Sequence, residues 1–319
     1  MKTAAGSAGF SVKNMTSLKK GFFVGFLALF LALNLHFSAF GQNAAARPAK
    51  SGGFEELKLE SRLMKRAMPY RVILPAGYQE RTAEKFPVVY LLHGLTGHYN
   101  NWTDLTKLVE YARGYDYIIV TPEGGDGWYT DSATVPDDKY ESYIISELIP
   151  EIEKRFRALP ARESRAVAGL SMGGYGSLKY GLKYPEKFVL VGSFSGALRA
   201  AEWTGKELGG GWKALTDSIQ STFAGADSAT RRENDIFKLL QAKTPEQAKA
   251  LPFFYLDCGT EDFLLQQSRD FTLLLSEKKI PHEFRELPGG HEWKYWDAQV
   301  EEFLEVSRKY IRPDKAKND

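Results

Sequence analysis

The chain has 319 residues, 43% of them hydrophobic and 13% aromatic, which is enough apolar material for one large core and excludes a disordered or fibrous protein. Its formal net charge is +2, with acids and bases interspersed, so it lacks the electrostatic footprint of a nucleic-acid binder. The single cysteine, Cys258, excludes an internal disulfide; it reads as a small buried apolar residue rather than a nucleophile.

Lys2, Lys13, Lys19 and Lys20 precede an apolar run over 21–40, and no acid occurs before Glu55. This is the layout of a secretory signal peptide, with Ala39 and Gly41 framing Phe40 as a cleavage pattern and 44–46 offering a later site. A retained anchor would place Asn34 and His36 in hydrocarbon. Loss of residues 1–41 removes four lysines and no acids, taking the charge from +2 to −2. The mature protein is expected to be secreted or periplasmic, with 42–53 as a linker.

Alternation in 56–63 and 69–74 predicts two antiparallel strands. From Phe86 onward, apolar runs at 88–92, 117–120, 166–170, 188–194 and 253–256, and a more polar one at 282–287, each end in a turn. Between them, 102–113, 142–156, 173–183, 264–279 and 293–310 carry helical spacing. This is an α/β pattern: a mostly parallel central sheet with helices on both faces. The rhythm breaks at 196–251, with three glycines at 209–211, a helical stretch at 212–223 and a charged stretch after it. That segment reads as a small helical cap inserted over the sheet edge. A single domain over 54–312 and a polar tail over 313–319 complete the chain.

Gly169-Leu170-Ser171-Met172-Gly173 is a G-x-S-x-G pattern between an apolar run and a helical stretch, the context of a nucleophile elbow. The glycines, with Gly174 after them, leave room around a serine held in a strained turn. A serine hydroxyl needs a histidine base and an orienting acid, here in the chain order Ser, Asp or Glu, His. Of the two later histidines, His282 opens the last strand, at the far edge of the sheet. His291 follows Gly289 and Gly290 in the loop beyond that strand and is the expected base. For the acid, Asp257, Glu261 and Asp262 all stand near the end of the preceding strand, and chain order does not choose among them; Asp257 could instead organise the turn. An oxyanion requires two backbone donors. Met172 supplies one, and Leu95 the other, from the turn His93-Gly94-Leu95-Thr96-Gly97. His93, at a strand terminus before the serine, reads as structural. Asn101 and Trp102 either line the site or cap and anchor the next helix. Nothing in the spacing implies a metal or a cofactor.

These stretches, with Leu91-Leu92 before the turn, Trp128-Tyr129, Tyr140-Glu141, 259–264 and Gly290-His291-Glu292-Trp293, resemble the bacterial "putative esterase" family of α/β-hydrolases over residues 55–311. That family includes esterase D, tributyrin esterase, feruloyl esterases and mycolyltransferases. The resemblance implies the α/β-hydrolase fold, Asp262 as the triad acid beside Ser171 and His291, and Leu95 and Met172 as oxyanion donors. It also implies that Trp128 and Tyr129 bind substrate near the acyl pocket, with plain loop packing as the alternative. The export signal, and the lack of a cysteine after His93-Gly94-Leu95, depart from cytosolic S-formylglutathione hydrolases. The expected function is a secreted serine carboxylesterase acting through an acyl-enzyme, with a carbohydrate-linked acetyl or feruloyl ester as candidate substrate and no stable membrane association. An acyltransferase of the mycolyltransferase type, or a non-catalytic carbohydrate- or partner-binding module on the same fold, is the alternative.

Overall fold

The strands that read as uninterrupted apolar runs are those buried on both faces of one eight-stranded sheet. A computed structural model describes residues 53–312 except 205, 206 and 208–210. The expected signal peptide, all of the linker but Gly53, and the polar tail lie outside the described residues. The strands are β1 Glu55–Ser61, β2 Arg66–Ile73, β3 Val88–Leu92, β4 Ile118–Pro122, β5 Arg165–Leu170, β6 Leu190–Phe194, β7 Phe253–Gly259 and β8 His282–Leu287. Their order in the sheet is β1-β2-β4-β3-β5-β6-β7-β8. β1 pairs antiparallel with β2 and β2 with β4, and every other pair is parallel. β3 to β6 are buried at every position, which is why they lack alternation.

The helices are α1 Asn101–Leu105, α2 Leu108–Tyr111, α3 Tyr140–Tyr143, α4 Ile149–Arg155, α5 Met172–Lys183, α6 Lys213–Phe223, α7 Ala229–Asn234, α8 Ile236–Gln241, α9 Pro245–Lys249, α10 Leu265–Glu277 and α11 Trp293–Ser307. Two expected helices are interrupted. The helix predicted over 102–113 breaks at Thr106, which is extended, because the next amide, Lys107, turns away to Asp297 Oδ1 at 2.7 Å. The helix predicted over 142–156 starts at Tyr140 and passes through a π turn, Ile144–Leu148, before α4. Pro150 follows that turn; it has no N–H to continue the ladder, and its ring crowds the preceding turn.

Each sheet face carries its own apolar cluster. One gathers Tyr90, Leu92, Trp128, Tyr175, Val191 and Leu256 under α5 and α10; the other gathers Leu91, Trp102, Phe194, Tyr255, Trp296 and Phe303 under α1 and α11. The segment between β6 and β7 is helical as expected, but it is built into the first cluster rather than lying over the sheet edge. Leu215, Ile219 and Phe223 of α6 are buried there, Phe223 packs on Trp128 and Tyr175, and α8 packs on α5 and α10. Among the described residues no helix is long and apolar enough to cross a membrane.

The chain leaves β3 toward β4 on one side and returns to β5 on the other. The strand order therefore reverses between β3 and β5, the place where open α/β sheets bind ligands beyond the carboxyl ends of their strands. The register Leu92↔Gly169, Leu170↔Phe194, Phe194↔Asp257 and Gly259↔Leu287 keeps these strand ends level. Loops after β3, β5, β7 and β8 thus emerge at one edge.

Candidate active site

Ser171 sits between β5 and α5 with φ 52° and ψ −113°, a conformation that a residue with a side chain adopts only when its surroundings impose it. Its amide donates to Phe194 O (2.9 Å), and its carbonyl accepts from Ala197 N (3.0 Å) and Tyr175 N (3.1 Å). The flanking glycines serve backbone contact more than space beside the serine. A Cβ on Gly169 would come within 2.5 Å of the Gly173 carbonyl carbon, and one on Gly173 within 2.5 Å of Leu92 O.

His291 reaches Ser171 from the loop after β8. Its Nε2 is 3.0 Å from Ser171 Oγ and its Nδ1 is 2.8 Å from Asp262 Oδ2. With Nδ1–H donating to Asp262, the Nε2 lone pair faces the serine hydroxyl. The loops after β7 and β8 are joined by Thr260 N to Leu287 O (2.9 Å) and Glu261 N to Gly289 O (3.0 Å); a Cβ on Gly259 would collide with the Gly289 carbonyl. Trp296 meets the imidazole edge-on with centroids 4.8 Å apart, and Phe263 lies 4.9 Å away on another side.

Of the three carboxylic acids open on sequence grounds, the fold brings Asp262 to His291. Its other oxygen, Oδ1, accepts from Leu264 N at 2.9 Å. Asp257 lies in β7, fully buried, with no partner in hydrogen-bond geometry for either oxygen; burial pushes its carboxyl well above the usual range, and the nearby Tyr295 and Tyr255 hydroxyls offset this only in part. Glu261 is exposed. His282 is at the opposite end of β8, its Nδ1 donating to Ile280 O (2.7 Å).

The turn after β3 passes beside the serine. A Cβ on Gly94 would lie 2.6 Å from Leu170 Cδ1 and 3.5 Å from Ser171 Cβ, so the glycine lets the turn lie close without displacing the Leu170 side chain. Thr96, at φ 61°, gives its amide to Asp126 Oδ1 at 2.7 Å, and Gly97 N closes the turn on Gly94 O at 3.0 Å. Among the described residues, the amides of Leu95 and Met172 donate to no protein group. His93 is fully buried: Nδ1 donates to Gly94 O (2.8 Å) and Nε2 accepts from Gly124 N (2.9 Å). With both nitrogens committed, the ring braces the turn.

Trp128 and Tyr129, expected near an acyl pocket, are 1% and 0% exposed. Such burial is what the alternative, plain loop packing, expects of them. Both adopt positive φ, 52° and 51°. Trp128 Nε1 donates to Ser218 Oγ of α6 at 3.0 Å, and Tyr129 Oη donates to His93 O at 3.1 Å, below the oxyanion turn. Buried Lys179 holds this loop by donating to Tyr129 O and Thr130 Oγ1, both at 2.6 Å. Its counter-ion is Glu141 at 2.7 Å. Burial drags Lys179 down to about 8 despite that partner. Burial alone would raise Glu141, but Lys179 and Lys183 bring it to about 2. The Tyr140-Glu141 stretch is thus part of the loop's support. Asn101 and Trp102 anchor rather than line: Asn101 Oδ1 accepts from His98 N (2.8 Å), and Trp102 Nε1 donates to Leu92 O (3.1 Å). Sequence reasoning missed Phe263 and Trp296. Phe263 carried one usable signal, an aromatic residue immediately after a triad candidate in a turn.

The sequence matches the "Putative esterase" family over residues 61–305. An acetyl esterase of Caldicellulosiruptor saccharolyticus is 28% identical over 253 residues, which is 77% of this chain and 94% of that one. Among solved structures, a ferulic acid esterase superposes with a TM-score of 0.69 at 27% identity, covering 81% of this chain and 98% of its own. A fluorophosphonate-binding serine hydrolase of Staphylococcus aureus, solved with substrate bound, gives 0.71 at 25% identity, covering 81% and 99%.

Proposed function

The chain belongs to the "Putative esterase" family and is a serine ester hydrolase, and from that premise we propose that Ser171, His291 and Asp262 are its catalytic triad. The observation that carries this reading is the continuous relay of 3.0 Å and 2.8 Å from hydroxyl to imidazole to carboxyl. His291 Nε2 takes the hydroxyl proton as Ser171 Oγ attacks the ester carbonyl, and Asp262 steadies the imidazolium that forms. The unpartnered amides of Leu95 and Met172 receive the oxyanion, where each such donor is worth about 10²–10³ in rate. The tetrahedral adduct collapses, the C–O bond breaks, and His291 returns its proton to the departing alcohol. Water, deprotonated by the same imidazole, then releases the acid from Ser171.

For the acyl group, the likeness to an acetyl esterase and a ferulic acid esterase supports acetate or ferulate. The basic, then apolar N-terminus supports export to the periplasm or beyond. In a test with protein starting at residue 42, p-nitrophenyl acetate is hydrolysed by the wild type, while Ser171→Ala loses at least about 10³ in kcat and no longer reacts with a fluorophosphonate. A wild type silent on acetate and butyrate alike would refute the proposal.

A further inference from the structure

The Leu95 amide makes no bond of its own, so its aim depends on the bonds of the peptides around it. It belongs to the Gly94–Leu95 peptide, whose carbonyl accepts from Gly97 N at 3.0 Å and from His93 Nδ1 at 2.8 Å. In a trans peptide the N–H points opposite to the carbonyl. Two donors on one side therefore direct the Leu95 N–H to the other.

The next peptide, Leu95–Thr96, is less secure. In the turn from Gly94 to Gly97, Leu95 keeps a negative φ while Thr96 has φ 61°, the pattern of a type II turn, whose third position favours glycine. A threonine there is strained, because its branched Cβ crowds the backbone. The turn is fixed at both ends, by His93 on Gly94 O and by Asn101 Oδ1 on His98 N at 2.8 Å. A return of Thr96 to negative φ would therefore be shared by the dihedrals of Leu95, and the Leu95 N–H would turn with them. One hydrogen bond opposes this: Thr96 N donates to Asp126 Oδ1 at 2.7 Å. Among the described residues no donor reaches the Leu95 carbonyl. Asp126 itself is exposed, but its loop is braced, since a Cβ on Gly125 or Gly127 would strike the Tyr140 ring.

We propose that Asp126 is a positioning residue for the oxyanion site: its hydrogen bond holds Thr96 at positive φ, and that conformation keeps the Leu95 amide aimed at the adduct on Ser171. The inference rests on the reading of Leu95 as an oxyanion donor. Such a donor has to be held to within about 0.5 Å and 10–20°. Without the bond the turn divides its time between two forms, and the rate falls with the fraction that stays competent. The donor acts on charge that develops in the transition state, so the loss appears in kcat rather than in KM.

The test measures kcat and KM on p-nitrophenyl acetate, and inhibition by an alkyl trifluoromethyl ketone, which forms an oxyanion when Ser171 adds to its carbonyl. Leu95→Pro deletes the amide at a position where a type II turn accepts proline, and is expected to lower kcat by about 10²–10³. Asp126→Ala is expected to lose roughly tenfold in kcat with KM within about twofold, and to bind the ketone more weakly by a like factor. Its melting temperature should not change, because the side chain is exposed. Asp126→Asn keeps an acceptor for the Thr96 amide, and Thr96→Gly added to Asp126→Ala removes the strain; each is expected to recover most of the loss. The positioning role is overturned if Asp126→Ala keeps its kcat, binds the ketone as tightly as wild type, or gains nothing from Thr96→Gly. A slow Leu95→Pro beside any of these results leaves the donor reading standing. A Leu95→Pro as fast as wild type would remove the donor reading, and the role of Asp126 with it.

Discussion

Asp257 and Asp262 stand five positions apart, one inside β7 and the other in the loop beyond it, and both are buried. The strand aspartate has no partner for either oxygen; the loop aspartate accepts from His291 and from the Leu264 amide. The difference lies in what the backbone has left to offer. β7 is paired on both sides, with β6 and β8, so its neighbouring amides are committed to the ladder and a carboxyl there is left with the tyrosine hydroxyls of Tyr295 and Tyr255 nearby. Beyond Gly259 the ladder stops, and a turn amide is free to fix Asp262. Burial alone does not make a triad acid; donors at the right place do.

The largest expected effect breaks the pair at the member proposed for the triad. Asp262→Ala should lower kcat on p-nitrophenyl acetate by about 10³–10⁴, because the imidazole loses both its tautomer and its orientation. The variant also strips the buried Leu264 amide of its acceptor, so Asp262→Asn, which keeps an acceptor for it, is measured beside it and should lose kcat with a smaller drop in melting temperature. If Asp257→Ala lowers kcat more than Asp262→Ala, the two aspartates have been assigned the wrong way round.

Asp257→Asn should act on stability instead, with kcat/KM within about threefold of wild type. The sign follows from burial, which raises the native pKa of Asp257: the native state holds a proton that the unfolded chain releases near pH 4. The stability linked to this group is full below that pH and is lost as pH rises through the native value, by at most about 1.4 kcal/mol per pH unit. Asparagine carries no such linkage. Melting curves should therefore show Asp257→Asn gaining on wild type between pH 4 and 7. A difference that stays flat across that range would mean that Asp257 is ionised in the native protein.

The same contrast explains what was legible in the sequence. β3 to β6 could be read because burial on both faces leaves an unbroken apolar signature. Ser171 could be read because strand, serine and helix must meet through glycines whose Cβ atoms would strike backbone. His291 followed from its place after two glycines on the correct edge. Residue patterns alone left Asp257, Glu261 and Asp262 open, since the deciding fact is a free amide in a turn; the family resemblance pointed to Asp262. The choice between acyl pocket and loop packing for Trp128 was not legible, because its burial involves α6, whose Ser218 is 90 positions away. The break at Thr106 depends on Asp297, 190 positions from Lys107. Long-range partners of this kind leave no mark in a local pattern.

The smallest effect sharpens the comparison from the side of Asp257. The Tyr295 ring packs under the glycine pair before His291: a Cβ on Gly289 would lie 2.7 Å from Tyr295 Cδ2. Its hydroxyl is buried and outside hydrogen-bond geometry, yet it is the largest of the groups that draw the Asp257 carboxyl back down against burial. Tyr295→Phe keeps the ring and removes only that hydroxyl. If the hydroxyl makes no bond, its loss leaves no deserted partner and stability should change by less than about 0.5 kcal/mol, with kcat unaltered. If it were the donor that satisfies Asp257, the same change would strand a buried carboxyl and cost about 1–3 kcal/mol. Chemical denaturation of Tyr295→Phe and of the double variant with Asp257→Asn separates the two cases. Additive, near-zero effects mean that the strand aspartate has no partner at all, and a coupling above about 1 kcal/mol would erase the distinction between it and Asp262.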